Sequence, residues 1–238
     1  MKKIAIIFGL ICFGFIVNAK QKVLVFCKTA GYHHMSIAVG VPAIMKLGKE
    51  NNFDVDSTTD SKKFTYDNLK QYAAVIFLST TGDVLDDSQQ AEFEKYIRSG
   101  GGFVGIHAAT DTEYNWPWYG NLVGAFFKSH PAQQNAMTHV VDPNFIATKG
   151  LPADWKRFDE WYNFKWMAEG LHILIKIDET SYTGGTMGDN HPMSWYHDFD
   201  GGRAFYTEFG HTDESYADPL YLGHLLGGIQ YAMGNGKK

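Results

Sequence analysis

Thiols are nearly absent. Two of the 238 residues are cysteine, and Cys12 lies inside an N-terminal apolar run, which leaves Cys27 as the one thiol in the rest of the chain. That excludes an internal disulfide framework and any Cys-based metal cluster. Cys27 closes an apolar segment, so a buried structural thiol is expected there rather than a nucleophile. Long apolar runs are scarce too. Beyond "IAIIFGLICFGFIV" near the start, itself short for a bilayer span, no segment resembles one. Positive charge is in the minority: 21 basic against 26 acidic residues give a formal charge of −5. That balance argues against nucleic acid or an anionic membrane surface as partner. Repeats, heptads, histidines paired at i, i+4 on a helix and glycine loops with phosphate-binding spacing are also missing.

The N-terminus carries an export pattern. Lys2 and Lys3 precede the apolar run, and Val17-Asn18-Ala19 supplies a small-residue cleavage site. Cleavage after Ala19 makes 1–19 a signal peptide and 20–238 a single domain, periplasmic or extracellular. An uncleaved anchor is the alternative, and bulky Ile11 disfavours lipidation at Cys12. Cleavage takes two of the 21 basic residues, leaving 19 against 26 acidic and a charge of −7. No membrane span then remains in the mature chain, and assembly as a homo-oligomer is left open.

Along the chain, strands alternate with helices. "KVLVFC", "FDVDSTT", "AAVIFLST" and "FVGIH" read as strands, the first a continuous apolar run of the kind buried on both faces of a parallel sheet. A helix is expected in "SIAVGVPAIMKLGKENN", with its regular part starting near Pro42. Another is expected in "DSQQAEFEKYIRSGGG", capped by Asp87 and stopped by glycine. From about 113 to 170 the pattern loosens. Five of the six tryptophans fall there, and "AMTHVV" alone looks like a strand. Order returns with "LHILIKI", "MSWYHDF" and "GRAFYTEF". A last helix places Leu222, Leu225, Leu226 and Ile229 on one face. The expected fold is α/β, three-layered, with a mostly parallel sheet covered by helices on both faces, as in flavodoxin-like proteins.

In such sheets ligands sit at the carboxyl ends of strands. Four distant loops put unusual residues there: "KTAGYHH" with His33 and His34, "TTGD", "HAATD" with His107 and Asp111, and "GHTDE" with His211. His107 occupies the strand-turn-helix corner where α/β enzymes mount a Ser or Cys nucleophile. At a helix N-terminus an imidazole is expected to stay neutral, fit to ligate a metal, accept a proton or polarise a carbonyl. It forms no acyl ester or thioester.

The chain resembles the ThuA-like (trehalose-utilisation) family, whose fold is similar to class I glutamine amidotransferases. The residues carrying the likeness are "KTAGYHHMSI", "FLSTTGDVLDDSQQAEFEKYIRSGGGFVGIHAATDTEYNWPWYG", "SHP", "DEWYNF", "GGTMGDNHPMSWYHDFDGGRAFYTEFGHTDESYADP" and "HLLGGIQYA". The resemblance implies a G-x-H corner at Gly105-Ile106-His107, in the place of the amidotransferases' Cys, and a first-loop histidine at His34. It also implies recurrent polar residues at His130, Glu160, His191, Trp195, Arg203 and His211. An amidotransferase reaction is disfavoured, since residue 107 is no thiol.

From these residues the expected catalytic groups are His107, Glu160 and Asp111. Glu160 stands among aromatics that would raise its carboxyl, with an ion pair to Arg203 as the ordinary alternative. His191, on a lid-like glycine loop, joins Trp195, Arg203, Trp116, Tyr162 and His130 as expected substrate contacts. Tryptophans Trp116, Trp118, Trp161 and Trp195 suit stacking on sugar C–H faces. His34, His107 and His211 would suit a divalent ion such as Zn²⁺ with an open position. His139, His172, His197 and His224 are expected at the surface or in packing. The partner implied by the resemblance is a small-molecule carbohydrate. The reading is an exported enzyme transferring protons on a keto-sugar or disaccharide derivative, as lyase, hydratase, isomerase or hydrolase. Its alternative is a non-catalytic carbohydrate-binding domain. Glycosidase action through Asp111 and Glu160 is a further option.

Overall fold

A computed structural model describes residues 20–235, so the expected signal peptide lies outside the described residues. The strands are β1 Lys22–Phe26, β2 Asp54–Thr58, β3 Ala74–Leu78, β4 Gly102–Ile106, β5 Ala125–Ser129, β6 Gln134–Val140, β7 Asp154–Asp159, β8 Asn163–Met167, β9 His172–Asp178, β10 Pro192–Phe199 and β11 Gly202–Thr207. The helices are α1 Ile37–Glu50, α2 Tyr66–Leu69, α3 Asp87–Arg98, α4 Pro117–Val123 and α5 Pro219–Ala232. No helix among the described residues is long and apolar enough to cross a membrane.

Nine strands form one sheet in the order β2-β1-β3-β4-β11-β10-β9-β6-β7. Strands β2, β1, β3, β4 and β11 run parallel. An antiparallel extension through β10, β9, β6 and β7 continues from β11. Strands β3 and β4 are buried at every position because helices cover both faces. One layer holds α1, α5 and the turn at Asp213–Ala217; the other holds α2, α3 and α4. Phe77 centres the second interface, with ring neighbours Phe26, Phe64, Phe93 and Phe103 at 5.2–5.8 Å. Each such buried ring stabilises the fold by roughly 1.5–3 kcal/mol. Cys27 is buried and free, as expected.

Three local expectations are corrected. Helix α1 begins at Ile37 and contains Pro42 within its second turn, losing one hydrogen bond instead of starting there. The cap of α3 is Asp86, whose carboxylate accepts the N–H of Gln89 at 2.9 Å while the Gln89 side chain returns to Asp86, a capping box. The loose region holds four strands, not one: β5 and β8 pair as a small separate sheet, and β6 and β7 extend the main one. In β7 burial alternates residue by residue, which hid it from an apolar-run reading. On α5, Leu225 and Ile229 are fully buried, whereas Leu222 and Leu226 are only half-buried.

Candidate functional site

Residue 107 sits where β4 ends and a short 3₁₀ turn, His107–Asp111, begins. Its φ of 49° is left-handed, a strain of order 1–3 kcal/mol for a side chain with a Cβ. The corner is braced: the Tyr206 hydroxyl donates to the His107 carbonyl at 2.7 Å. Gly105 makes room for that ring, since a Cβ there would lie 2.9 Å from it. A bent backbone of this kind aims the side chain off the sheet edge, and three other loops meet it there.

The His107 ring is fully buried, with Nδ1 at 2.8 Å from the Glu208 carbonyl oxygen. A carbonyl only accepts, so Nδ1 carries hydrogen and Nε2 faces the site. Nε2 lies 3.1 Å from His211 Nδ1 and 3.5 Å from Glu160 Oε2. His211 Nδ1 is in turn 3.1 Å from Glu160 Oε2, and His130 Nδ1 is 3.1 Å from Glu160 Oε1. His34 closes the cluster edge-on, its ring 4.8 Å from that of His107 and 5.2 Å from that of His211. Ser36 Oγ donates to the Gly210 carbonyl at 3.0 Å, tying the first loop to the last. His34, His107 and His211 therefore converge as the topology implies, and Glu160 joins them.

Protonation departs from expectation in two places. The 3₁₀ turn is too short to hold His107 neutral. Burial depresses the imidazole, but hydrogen bonds and charge from Glu160 and Glu208 outweigh it and hold the ring well above its usual range. Glu160 was expected to be raised. Burial does raise it, yet His107 and His211 dominate and keep the carboxyl far below the ordinary range. It is a fixed anion in this arrangement. Burial and the neighbouring imidazoles push His34 down to about 2, so it is neutral. Asp111 moves upward through burial, against an opposing 2.5 Å hydrogen bond from the Tyr114 hydroxyl.

These groups open into a cleft of about 400 Å³ lined by Tyr32, His34, Asp111, Phe127, His130, Gln133, Glu160, Tyr162 and His211. The Tyr162 ring lies 4.4 Å from His107 and 4.2 Å from Phe127. A cavity of about 230 Å³ at Arg157, Ser215 and Asp218 lies apart from the imidazoles.

Several expected contacts lie elsewhere. Trp195 is a core residue, donating Nε1–H to the Val123 carbonyl at 2.9 Å and stacking on Tyr206. Trp116 is buried against Trp118 and Tyr119 on the helical face. Trp161 is fully buried as well. Arg203 donates to the Ala232 and Gly100 carbonyls at the opposite end of the parallel strands, so it makes no pair with Glu160. His191 is no lid residue. It is fully buried between Glu179 and the Tyr162 carbonyl, each at 2.7 Å. Tyr162, one of the expected contacts, does line the cleft, and Tyr32 and Phe127 complete its aromatic walls.

Three supporting residues escaped the sequence reading. Asp159 accepts N–H groups from Glu160, Gly210 and His211. Arg157 binds Asp218, Ser215 and Asp159. Glu208, fully buried and pushed up to about 7 by burial, accepts the Tyr162 N–H and lies 3.6 Å from His107 Nδ1. Adjacency to Glu160 and placement at the end of β11 were the available signals.

The family model described as trehalose utilisation, ThuA, matches residues 22–232, nearly the whole described chain. The chain belongs to the ThuA family. Among solved structures, a ThuA-like protein from Bacteroides uniformis superposes with a TM-score of 0.78 at 24% identity, covering 94% of this chain and 97% of that one. A ThuA-like protein from Parabacteroides merdae gives 0.74 at 21%, covering 92% of each. A β-galactosidase from Bacillus circulans gives 0.57 at 14%, covering 90% of this chain but 30% of that one. At these identities the likeness establishes the fold. Comparison with curated proteins gives no match.

Proposed function

We propose that this ThuA-family chain is an exported carbohydrate-processing enzyme acting on a keto-sugar or disaccharide derivative by histidine-assisted proton transfer. The carrying observation is the cleft itself, where an imidazole–carboxylate cluster shares about 400 Å³ with three aromatic rings. Such walls suit the C–H faces of a sugar while the polar groups take its hydroxyls. A keto group acidifies the adjoining C–H, so the chemistry needs a base at carbon and positive charge at the carbonyl oxygen.

The two carboxylates of the cleft occupy contrasting environments, which separates their roles. Glu160 is locked as an anion among imidazoles. Asp111, with its upward-shifted carboxyl at the cleft wall, is assigned the proton transfer at carbon. His211 faces the substrate oxygen from the cleft wall with buried His107 behind it at 3.1 Å, and His130 and Tyr162 position the ring. Glycosidase action by the Asp111–Glu160 pair is the weaker use of this geometry, because imidazoles engage both Glu160 oxygens. Export rests on the charged, apolar and small-residue pattern before Lys20.

The test is incubation with a panel of 3-keto-disaccharides and their parent sugars. Conversion by the wild type and its loss in His107→Ala is the expected result. Tight binding of a parent sugar without any conversion would replace this reading with that of a carbohydrate-binding domain.

A further inference from the structure

We propose that His34, His107, Glu160 and His211 form a divalent-metal site of the zinc class, with Glu160 a ligand and not a free acid or base. This deepens the reading of the same cleft, but its geometric grounds are independent of any sugar. Each residue offers one donor atom, and the four atoms lie within 4.8 Å of one another. Among His107, His211 and Glu160 the separations are 3.1, 3.1 and 3.5 Å. Ligands bound tetrahedrally at about 2.0–2.1 Å from one ion stand about 3.3–3.4 Å apart. Three of the four are already at that spacing. His34 completes the set by moving inward.

Donor chemistry agrees with distance. Three imidazoles and one carboxylate oxygen match zinc and its borderline relatives better than magnesium or calcium, which prefer all-oxygen shells. His107 is oriented as a ligand would be, with Nδ1 on the Glu208 carbonyl and Nε2 toward the other donors. Glu160 Oε1 keeps His130 as an outer partner while Oε2 faces the cluster. A second observation is independent of these distances. His34 is 3% exposed, and its Nδ1 is buried without a hydrogen-bond partner. Such orphans are rare in packed interiors, and the His34 ring stands edge-on to the rings of His107 and His211. Gln133 lies with its amide 2.7 Å from His211 Nε2. With an ion on Nδ1, the amide turns its oxygen to receive Nε2–H. Placed at the cleft, such an ion would polarise a bound carbonyl oxygen, and five-coordination would admit that oxygen.

The experiment uses the full chain, stripped with chelator and then given Zn²⁺ or Co²⁺ alone. The expected result is one ion per chain by elemental analysis, a visible Co²⁺ spectrum of low coordination number, and a raised unfolding temperature. Glu160→Gln and His34→Ala should each weaken the ion at least tenfold, whereas His33→Ala, at an exposed neighbour, should not. Circular dichroism confirms that each variant is folded, and Glu160→Gln preserves size if His34→Ala fails. Sub-stoichiometric binding overturns the proposal, and so does binding that both ligand variants leave unchanged. Since no sugar is present, either result leaves the carbohydrate reading standing. A loaded protein that converts no keto-sugar overturns only the latter.

Discussion

The Asp159 carboxylate accepts the backbone N–H of His211 at 3.2 Å, and through that bond it sets where the His211 imidazole stands. The same carboxylate takes the N–H groups of Gly210 and Glu160, both at 3.1 Å, and the Ser215 hydroxyl at 3.1 Å. Gly210 adopts a φ of 111°, which the turn needs for that donation and which other residues rarely adopt. Arg157 lies 3.4 Å from Asp159 and reaches Asp218 at 2.7 Å, at the start of α5. One buried anion thus fixes two loops whose side chains meet at 3.1 Å.

Removing that anion leaves Arg157 partly unpaired and several N–H groups unsatisfied. Asp159→Ala should therefore cost about 3–5 kcal/mol of unfolding free energy, read from urea midpoints. A loss under about 1 kcal/mol would show that the hub carries little.

The left-handed corner makes a separate prediction. At φ 49° a Cβ is strained and glycine is not. His107→Gly should be more stable than His107→Ala by about 1 kcal/mol, since both lose the same imidazole. Equal denaturation midpoints for the two variants would contradict the backbone geometry.

His224 supplies a pH dependence away from the cleft. It is fully buried against the Ala147 carbonyl, Ser194 and Thr207, and burial lowers it to about 4. The folded value lies below the unfolded one near 6.5, so the fold prefers the neutral ring. Its contribution is complete above pH 6.5 and is lost as pH falls toward 4. At pH 4 the loss approaches about 3 kcal/mol. The stability advantage of wild type over His224→Gln should shrink by that amount between pH 7 and pH 4. An advantage that stays constant would mean the ring protonates freely.

Trp195 tests where the cleft ends. As a core residue bonded to Val123, it should lose about 1–2 kcal/mol on conversion to Phe, while turnover per folded molecule stays at the wild-type level. A selective rise in KM would return it to the substrate.

Much of this was legible in the residues. Apolar runs marked β1, β3 and β4 because strands buried on both faces have no polar side to show. Their shared direction placed His34, His107 and His211 at one edge before any distance was known. The antiparallel extension was not legible. In β7 the burial alternates residue by residue, and Asp159 falls on the buried side as a charged group. Side-chain destinations were also hidden where residue type misleads. Trp195, Trp116 and Trp161 have the look of a sugar platform but serve the core, and Tyr32 and Phe127 build the walls. Arg203 and His191 carry polar groups that backbone carbonyls and Glu179 consume. Glu160 drew its electrostatics from imidazoles distant in sequence, which no reading of its aromatic neighbours could supply.

The most direct measurement of the central claim is proton exchange at carbon. A 3-keto-disaccharide is held in D₂O with enzyme, and NMR follows deuterium entering beside the carbonyl. The account predicts rapid incorporation with wild type, and at least a hundredfold slower incorporation with Asp111→Asn and with His107→Gly. Equal incorporation by wild type and both variants, or none by any of them, would contradict it.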